Sequence, residues 1–130
     1  MKVKRTERGW AGHFCCSYDC KFRRNTLLEY GDIKIVVSTV GNYWPQHKME
    51  NNRKLEKWEQ EIGANRFYET MAFYSKPNDD YYHDADVSKE IYFNSQWAIN
   101  ELNKHTDKLA NKMHEDVVKE LSKKLRIGKV

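Results

Sequence analysis

Apolar and polar positions change their rhythm three times along this chain. Residues 22–30 and 33–40 are apolar-rich runs on either side of Gly31-Asp32. Two such runs around a Gly-Asp pair predict a β-hairpin, and Gly41-Asn42 closes its second strand. Upstream, Gly9-Trp10-Ala11-Gly12-His13-Phe14-Cys15-Cys16 is aromatic and thiol-rich, with glycines where strands bend or approach another backbone. Residues 67–75 look like a strand. Phe67, Glu69, Met71 and Phe73 fall on one face, and Tyr68, Thr70, Ala72 and Tyr74 on the other. Pro77-Asn78-Asp79-Asp80 reads as a loop, and a short strand is expected over 90–94.

Between the two strand regions the period lengthens. Leu55, Trp58 and Ile62 recur at helical spacing among Arg53, Lys54, Glu56, Lys57, Glu59 and Glu61. With Pro45 suited to a first turn and Gly63 to a C-cap, they predict a helix within 45–62. At the C-terminus, Leu102, Leu109, Met113, Val117, Leu121 and Leu125 stand at steps of seven or four. They make one apolar stripe on a helix over about 102–126 that Gly128 ends. The expected fold class is α+β, an antiparallel β-sheet with a C-terminal helical layer. The chain reads as a single domain over 1–130: β-rich at 8–43, a helical insertion at 45–62, strands at 66–94, then the long helix. At about 1.5 Å per residue that helix is roughly 37 Å long. A domain of this size has a radius of gyration of about 14 Å. A core helix is the plain reading, and a homodimer or higher oligomer through its uncovered part is the expectation beside it.

Composition narrows the class. A length of 130 residues suits one core. Apolar residues are 39% and charged residues 32% of the chain, and mean hydropathy is −0.94, yet 4 Trp, 8 Tyr and 5 Phe argue against a disordered chain. No stretch approaches the roughly 20 apolar residues of a membrane span, and basic Met1-Lys2-Val3-Lys4-Arg5 leads into no apolar h-region. Cys15, Cys16 and Cys20 are odd in number and clustered, which argues against a disulfide framework and for reduced thiols in a cytoplasmic setting. A net charge of +4 permits a phosphate-bearing partner without requiring one.

Several clusters invite chemistry. His13, Cys15, Cys16 and Cys20 lack the paired spacing of a structural zinc site, so no metal is expected. Asp32-x-Lys34, with Asp19 or Glu29, has the residue types of a small metal-dependent nuclease, although Asp32 also suits the hairpin turn. His83, Asp84 and Asp86 read as a polar turn between strands. His114-Glu115 lacks the second histidine of H-E-x-x-H, and no P-loop, G-x-S-x-G or G-x-G-x-x-G occurs. Arg23 and Arg24 cannot both point into one apolar core. A guanidinium grips phosphate in bidentate fashion. Aromatics such as Tyr68, Phe73, Tyr81, Tyr82 and Phe93 can stack on a base, and the Asn94 amide can read a purine edge. Arg23, Arg24, Tyr81, Tyr82, Phe93 and Asn94 are therefore the candidate ligand-binding residues, with a solvated edge-strand arginine pair as the plain alternative.

The segments Arg8-Gly9-Trp10-Ala11-Gly12-His13-Phe14, Cys20-Lys21-Phe22-Arg23-Arg24-Asn25-Thr26-Leu27-Leu28 and Val36-Val37-Ser38-Thr39-Val40-Gly41 resemble a family of small phage and bacterial proteins. So do Tyr68-Glu69-Thr70-Met71-Ala72-Phe73, Asp84-Ala85-Asp86-Val87-Ser88 and Met113-His114-Glu115. The best match is the phage anti-Thoeris sponge proteins of the first-described type, over residues 8 to about 121. That resemblance implies an antiparallel sheet with C-terminal helices, assembled as dimers or larger oligomers in the host cytoplasm. It implies an anti-defence protein that sequesters a cyclic ADP-ribose isomer made by a TIR protein, or a cyclic oligonucleotide, without degrading it. No enzymatic activity, cofactor, membrane or direct nucleic-acid partner is expected. Arg24, Asn94 and Tyr81 or Tyr82 fit best the arginine, asparagine and aromatic ligand contacts of the family, and 45–62 is an insertion relative to other members. The alternative is a nucleic-acid-directed protein, either a nuclease built on Asp32 and Lys34 or an inhibitor of a nucleic-acid-handling defence enzyme.

Overall fold

A computed structural model of the chain describes residues 2–8, 13, 17–45, 54–78 and 81–130, without the side chains of 17, 77–78 and 81–84. Strands β1 (Lys4–Glu7), β2 (Cys20–Tyr30), β3 (Ile33–Tyr43), β4 (Tyr68–Asn78) and β5 (Tyr81–Ile91) form an antiparallel sheet in the order of the sequence. The short β6 (Ala98–Ile99) pairs back onto β4, and one helix, α1 (Thr106–Arg126), follows. The class is α+β, an open antiparallel sheet backed by a C-terminal helix.

The hairpin stands where the apolar runs predict it. Tyr30 pairs with Ile33 across Gly31 and Asp32, and Gly31 takes a φ of 59°, a left-handed conformation that costs glycine little. Alternation then sorts the sheet into two faces. On one, Leu28, Ile35, Val37 and Ala72 meet Val117, Val118, Leu121 and Leu125 of α1. Further along, Phe22, Phe67, Tyr68 and Ile99 meet Ala110 and Met113. Burying each leucine or valine of this kind stabilises by roughly 1.5–3 kcal/mol. The opposite face also buries its centre, at Val36, Val40 and Phe73, with His13 over Ser38 and Glu69.

Four expectations need correction. First, α1 starts at Thr106 rather than 102. The Thr106 hydroxyl donates to the Asn103 carbonyl and the Asn103 side chain accepts from the His105 N–H, which closes a turn just ahead of the helix. Leu109 is 42% exposed, and Ala110 takes the inward position beside Met113. Second, of the helix expected within 45–62, residues 46–53 lie outside the described residues, and no α-helix occupies 54–62. A single turn of 3-10 helix, Lys57–Gln60, stands there with Trp58 outward and Glu59 buried. Gly63 bridges to Arg66 instead of capping a helix.

Third, β5 is a long strand over the stretch read as a polar turn at His83, Asp84 and Asp86. The register explains why the pattern misleads. Phe73 pairs with Glu90 and Ser75 with Ala85, so residues 86–89 oppose Tyr74 alone. Within this bulge the Asp86 carboxylate accepts from the Ser88 N–H and hydroxyl. Fourth, an 11-residue β5 replaces the short strand expected over 90–94. The strand expected over 9–16 lies outside the described residues except His13, as do Cys15 and Cys16; Cys20 is buried and forms no disulfide among the described residues. Among the described residues no helix is long and apolar enough to cross a membrane.

Candidate functional site

The sheet opens where β5 hands over to β6. Ala72 of β4 pairs with Ile91, and Tyr68 with Ile99. Between these points the chain detours through 92–97, tied to β4 where the Thr70 N–H donates to the Trp97 carbonyl at 2.7 Å. The detour is hung from α1. Both Glu120 oxygens take part, accepting from the N–H groups of Asn94 and Ser95 at 2.8 Å and from the Ser95 hydroxyl at 2.7 Å. Burial alone would raise the Glu120 pKa, but these donors and the Lys124 ammonium hold it down at about 2. The detour leaves a cavity of about 470 Å3 walled by Tyr92, Phe93 and Trp97, with Arg66, Glu69 and Glu90 as its charged groups. That volume lies within the roughly 300–1000 Å3 of small-molecule sites.

Arg66 is held from several sides. Its Nε–H donates to Glu69 Oε2 at 2.9 Å. Its guanidinium carbon is 5.5 Å from the centre of the Trp97 ring, within cation–π range. A Cβ on Gly63 would fall 2.3 Å from its Nη2, so the guanidinium rests against bare backbone. Among the described residues, neither Nη of Arg66 has a hydrogen-bond partner. Glu69 turns its other oxygen to His13, whose Nε2–H donates to Oε1 at 3.0 Å. That bond, ahead of the opposing effect of burial and with the Arg66 charge added, holds the Glu69 carboxyl below its ordinary value. On the far side of His13, the Ser38 hydroxyl accepts from the His13 backbone N–H at 3.1 Å and donates to Nδ1 at 3.0 Å.

A second polar cluster lies under α1. His114 is fully buried between two strands. A carboxylate only accepts, so the Thr26 hydroxyl donates to Glu7 at 2.9 Å and accepts from His114 Nε2–H at 2.7 Å. Nδ1 then carries the lone pair and accepts from Thr39 at 2.7 Å, and Thr39 accepts from Thr70 at 2.6 Å. Burial, followed by the nearby Arg24 charge, lowers the His114 pKa to about 4, so the ring is neutral. Arg24 lies at the rim, donating to Glu115 at 2.9 Å and pairing with Glu7 at 3.1 Å. Arg5 closes on Glu115 through two bonds of 2.6 and 2.7 Å. The Arg5 bonds, then the Arg24 bond, hold the Glu115 carboxyl at about 2.

The sequence-based candidates therefore separate. Phe93 lines the cavity, and Asn94 lines the depression next to it, which shares Arg66 and Trp97. Arg24 is on the helix face among carboxylates, and Arg23 is exposed on the other face. Tyr81 and Tyr82 lie in the β5 backbone, and their side chains are outside the described residues. Of the nuclease set, Asp32 occupies the hairpin turn and Glu29 pairs across from Lys34. Among the described residues no three His, Cys, Asp or Glu side chains converge as a metal site. Arg66, Glu69, Glu90, Tyr92 and Trp97 escaped the reading of the sequence, because residues 66–69 and 90–97 meet only through the break between β5 and β6. The one local signal is Trp97, a large aromatic in a polar stretch. No known protein family, curated protein or solved structure matches the chain.

Proposed function

We propose that this chain is a non-enzymatic binder that captures a cyclic ADP-ribose isomer, or a related cyclic nucleotide signal, in the β5–β6 cavity and holds it intact. The observation that carries the reading is Arg66, a guanidinium whose Nη edge has no hydrogen-bond partner among the described residues, beside an indole at a cavity walled by rings. Such an edge suits a phosphate in bidentate fashion. Trp97 and Tyr92 offer faces on which a base stacks, for about 1–3 kcal/mol per base. Glu90 is placed to accept from ribose hydroxyls, and Asn94 stands next to the cavity for a purine edge. The resemblance of the sequence to the anti-Thoeris sponge proteins points the same way, and with it to a host-cytoplasmic anti-defence role.

Sequestration needs slow release rather than transition-state complementarity. Depleting a signal of about 0.1 µM asks for a binding free energy of about −10 kcal/mol or stronger. The protomer works as a homodimer or larger oligomer in this proposal, with Tyr92, Trp97 and Leu109 exposed on its surface. Light scattering at micromolar protein tests that part, and a particle of 15.6 kDa refutes it. Calorimetric titration with cyclic ADP-ribose isomers tests the binding. Wild-type protein binds and, after heat denaturation, returns ligand of unchanged mass. Arg66→Ala loses roughly tenfold to a hundredfold in affinity, the worth of a charge-assisted contact at about 1.5–3 kcal/mol. No binding by the wild-type chain, or release of a product of altered mass, overturns the proposal.

A further inference from the structure

We infer that Glu69 is a positioning residue that mounts the Arg66 guanidinium for an oxyanion, and that His13 is the anchor behind it. The inference rests on the reading above, in that the cavity takes a phosphate-bearing ligand, and it assigns the part of the site that fixes the phosphate. A guanidinium offers two bidentate edges, one through Nε and one Nη, the other through both Nη atoms. Glu69 takes Nε–H, which leaves the end-on edge for a ligand. Trp97 and the Gly63 backbone limit rotation about the last side-chain bonds. Arginine has a large rotamer entropy to lose, and a side chain ordered beforehand does not lose it on binding.

Glu69 can serve as a mount because it is itself fixed. Its side chain is 14% exposed and that of His13 is 6% exposed, and the two meet at 3.0 Å. His13 is pinned at three points: Nε2 on Glu69, Nδ1 and the backbone N–H on the Ser38 hydroxyl, and the ring 6.0 Å from that of Phe73. Ser38 is itself buried at the centre of β3. The chain of contacts therefore runs from the middle of the sheet through residue 13 to the cavity arginine.

The sign of two substitutions separates positioning from charge. A carboxylate that merely neutralised Arg66 repels a phosphate, so both Glu69→Ala and Glu69→Gln would tighten anion binding. A mount behaves differently. In Glu69→Gln the amide oxygen still accepts from Arg66 Nε, and the amide N–H donates to His13 once the ring changes tautomer, so affinity is retained or improved. In Glu69→Ala the guanidinium is released, and affinity falls. The ligand used is inorganic pyrophosphate, titrated calorimetrically into the full chain, with cyclic ADP-ribose in a parallel series. We expect wild type and Glu69→Gln to bind pyrophosphate within about threefold of each other. Glu69→Ala should be weaker by about tenfold and His13→Ala by a few-fold, with His13→Gln restoring most of the loss through its amide donor. Tighter binding by Glu69→Ala, no pyrophosphate binding by wild type, or equal losses in His13→Ala and His13→Gln overturn the inference. If Glu69→Ala does not fold, the two His13 variants decide it. If wild type ignores every cyclic ADP-ribose isomer while the pyrophosphate series behaves as described, the functional reading falls and the arginine mount stands.

Discussion

His114 and His13 sit on opposite faces of the same β3–β4 ladder, each with both ring nitrogens in hydrogen bonds, yet they do different work. His114 faces hydroxyls and is fully buried under the helix; its partners Thr26 and Thr39 belong to two strands, and Thr39 passes the chain on to Thr70 of a third. His13 faces one hydroxyl and one carboxylate, and that carboxylate carries a cavity arginine. The partner rather than the imidazole assigns the role. A histidine closed among threonines fastens a helix to a sheet, whereas one leaning on a half-shared glutamate steers a charged group at a cavity wall.

The comparison breaks most visibly on stability. His114→Ala leaves the Thr26 and Thr39 hydroxyls without their partner and opens a void, two effects that together cost about 4 kcal/mol. His13→Ala should cost about 1–2 kcal/mol, the range for one buried polar group losing its bonds. Denaturant unfolding of both variants checks this, and equal losses would erase the distinction.

Acid should act on the helix side of the sheet in two stages. The His114 pKa is about 4 folded against 6.5 for the free side chain, so between these values the unfolded chain binds the extra proton. Stability is therefore full above about pH 6.5 and falls as pH drops toward 4, by about 3 kcal/mol over the window at about 1.4 kcal/mol per unit. The depressed carboxyls act lower. Glu115 and Glu120, at about 2 against 4.5, contribute stability that is present above pH 4.5 and lost as pH falls toward 2. In His114→Gln the first decline should vanish and the second remain. A variant that keeps both slopes would assign the upper one elsewhere.

Smaller effects sharpen the contrast between the two arginines. Arg24→Ala removes one cation from Glu7 and Glu115, which are both about half exposed and keep Arg5, so screening limits the cost to about 1 kcal/mol. It should leave ligand affinity unchanged, unlike Arg66→Ala, and a loss of affinity in Arg24→Ala would move the site to the helix face. Gly63→Ala should be the mildest, under about 1 kcal/mol, because the added methyl meets only the movable end of Arg66. Its mark should be a shifted anion affinity measured by the same titration, and an unchanged affinity would show that Gly63 has no part in orienting the arginine.

Much of the fold is legible in the sequence, because it follows from periodicity. The Gly31-Asp32 hairpin and the inward stripe of Met113, Val117, Leu121 and Leu125 are local patterns. Local patterns also mislead where tertiary context wins. Leu55, Trp58 and Ile62 keep helical spacing without a helix, and the bulge at 86–89 disguises a strand as a turn. The candidate site was legible only at Phe93 and Asn94. Arginines at 23 and 24 draw attention as an adjacent pair, whereas Arg66 acquires its meaning from Trp97 and Glu69, and a reading along the chain cannot foresee the break in the sheet that joins them. His114 is similar, since nothing near it in sequence announces three threonines from three strands.

The order of the sheet has a consequence for how the molecule is made. Among the described residues β1 to β5 each pair with the next strand in sequence, and β6 alone reaches back, to β4, so the five long strands can dock in turn as they leave the ribosome. The helix that covers them comes last. Until it arrives, a broad apolar surface of Leu28, Ile35, Val37 and Ala72 stands open, but Thr26, Thr39 and Thr70 run through the same face. Their hydroxyls keep water at the middle of the unfinished surface, where an unbroken apolar sheet would invite aggregation. The ring of His114 takes over the Thr26 and Thr39 hydroxyls as it docks, while Thr70 stays on Thr39, so the polar row of the nascent sheet becomes the lock of the finished one.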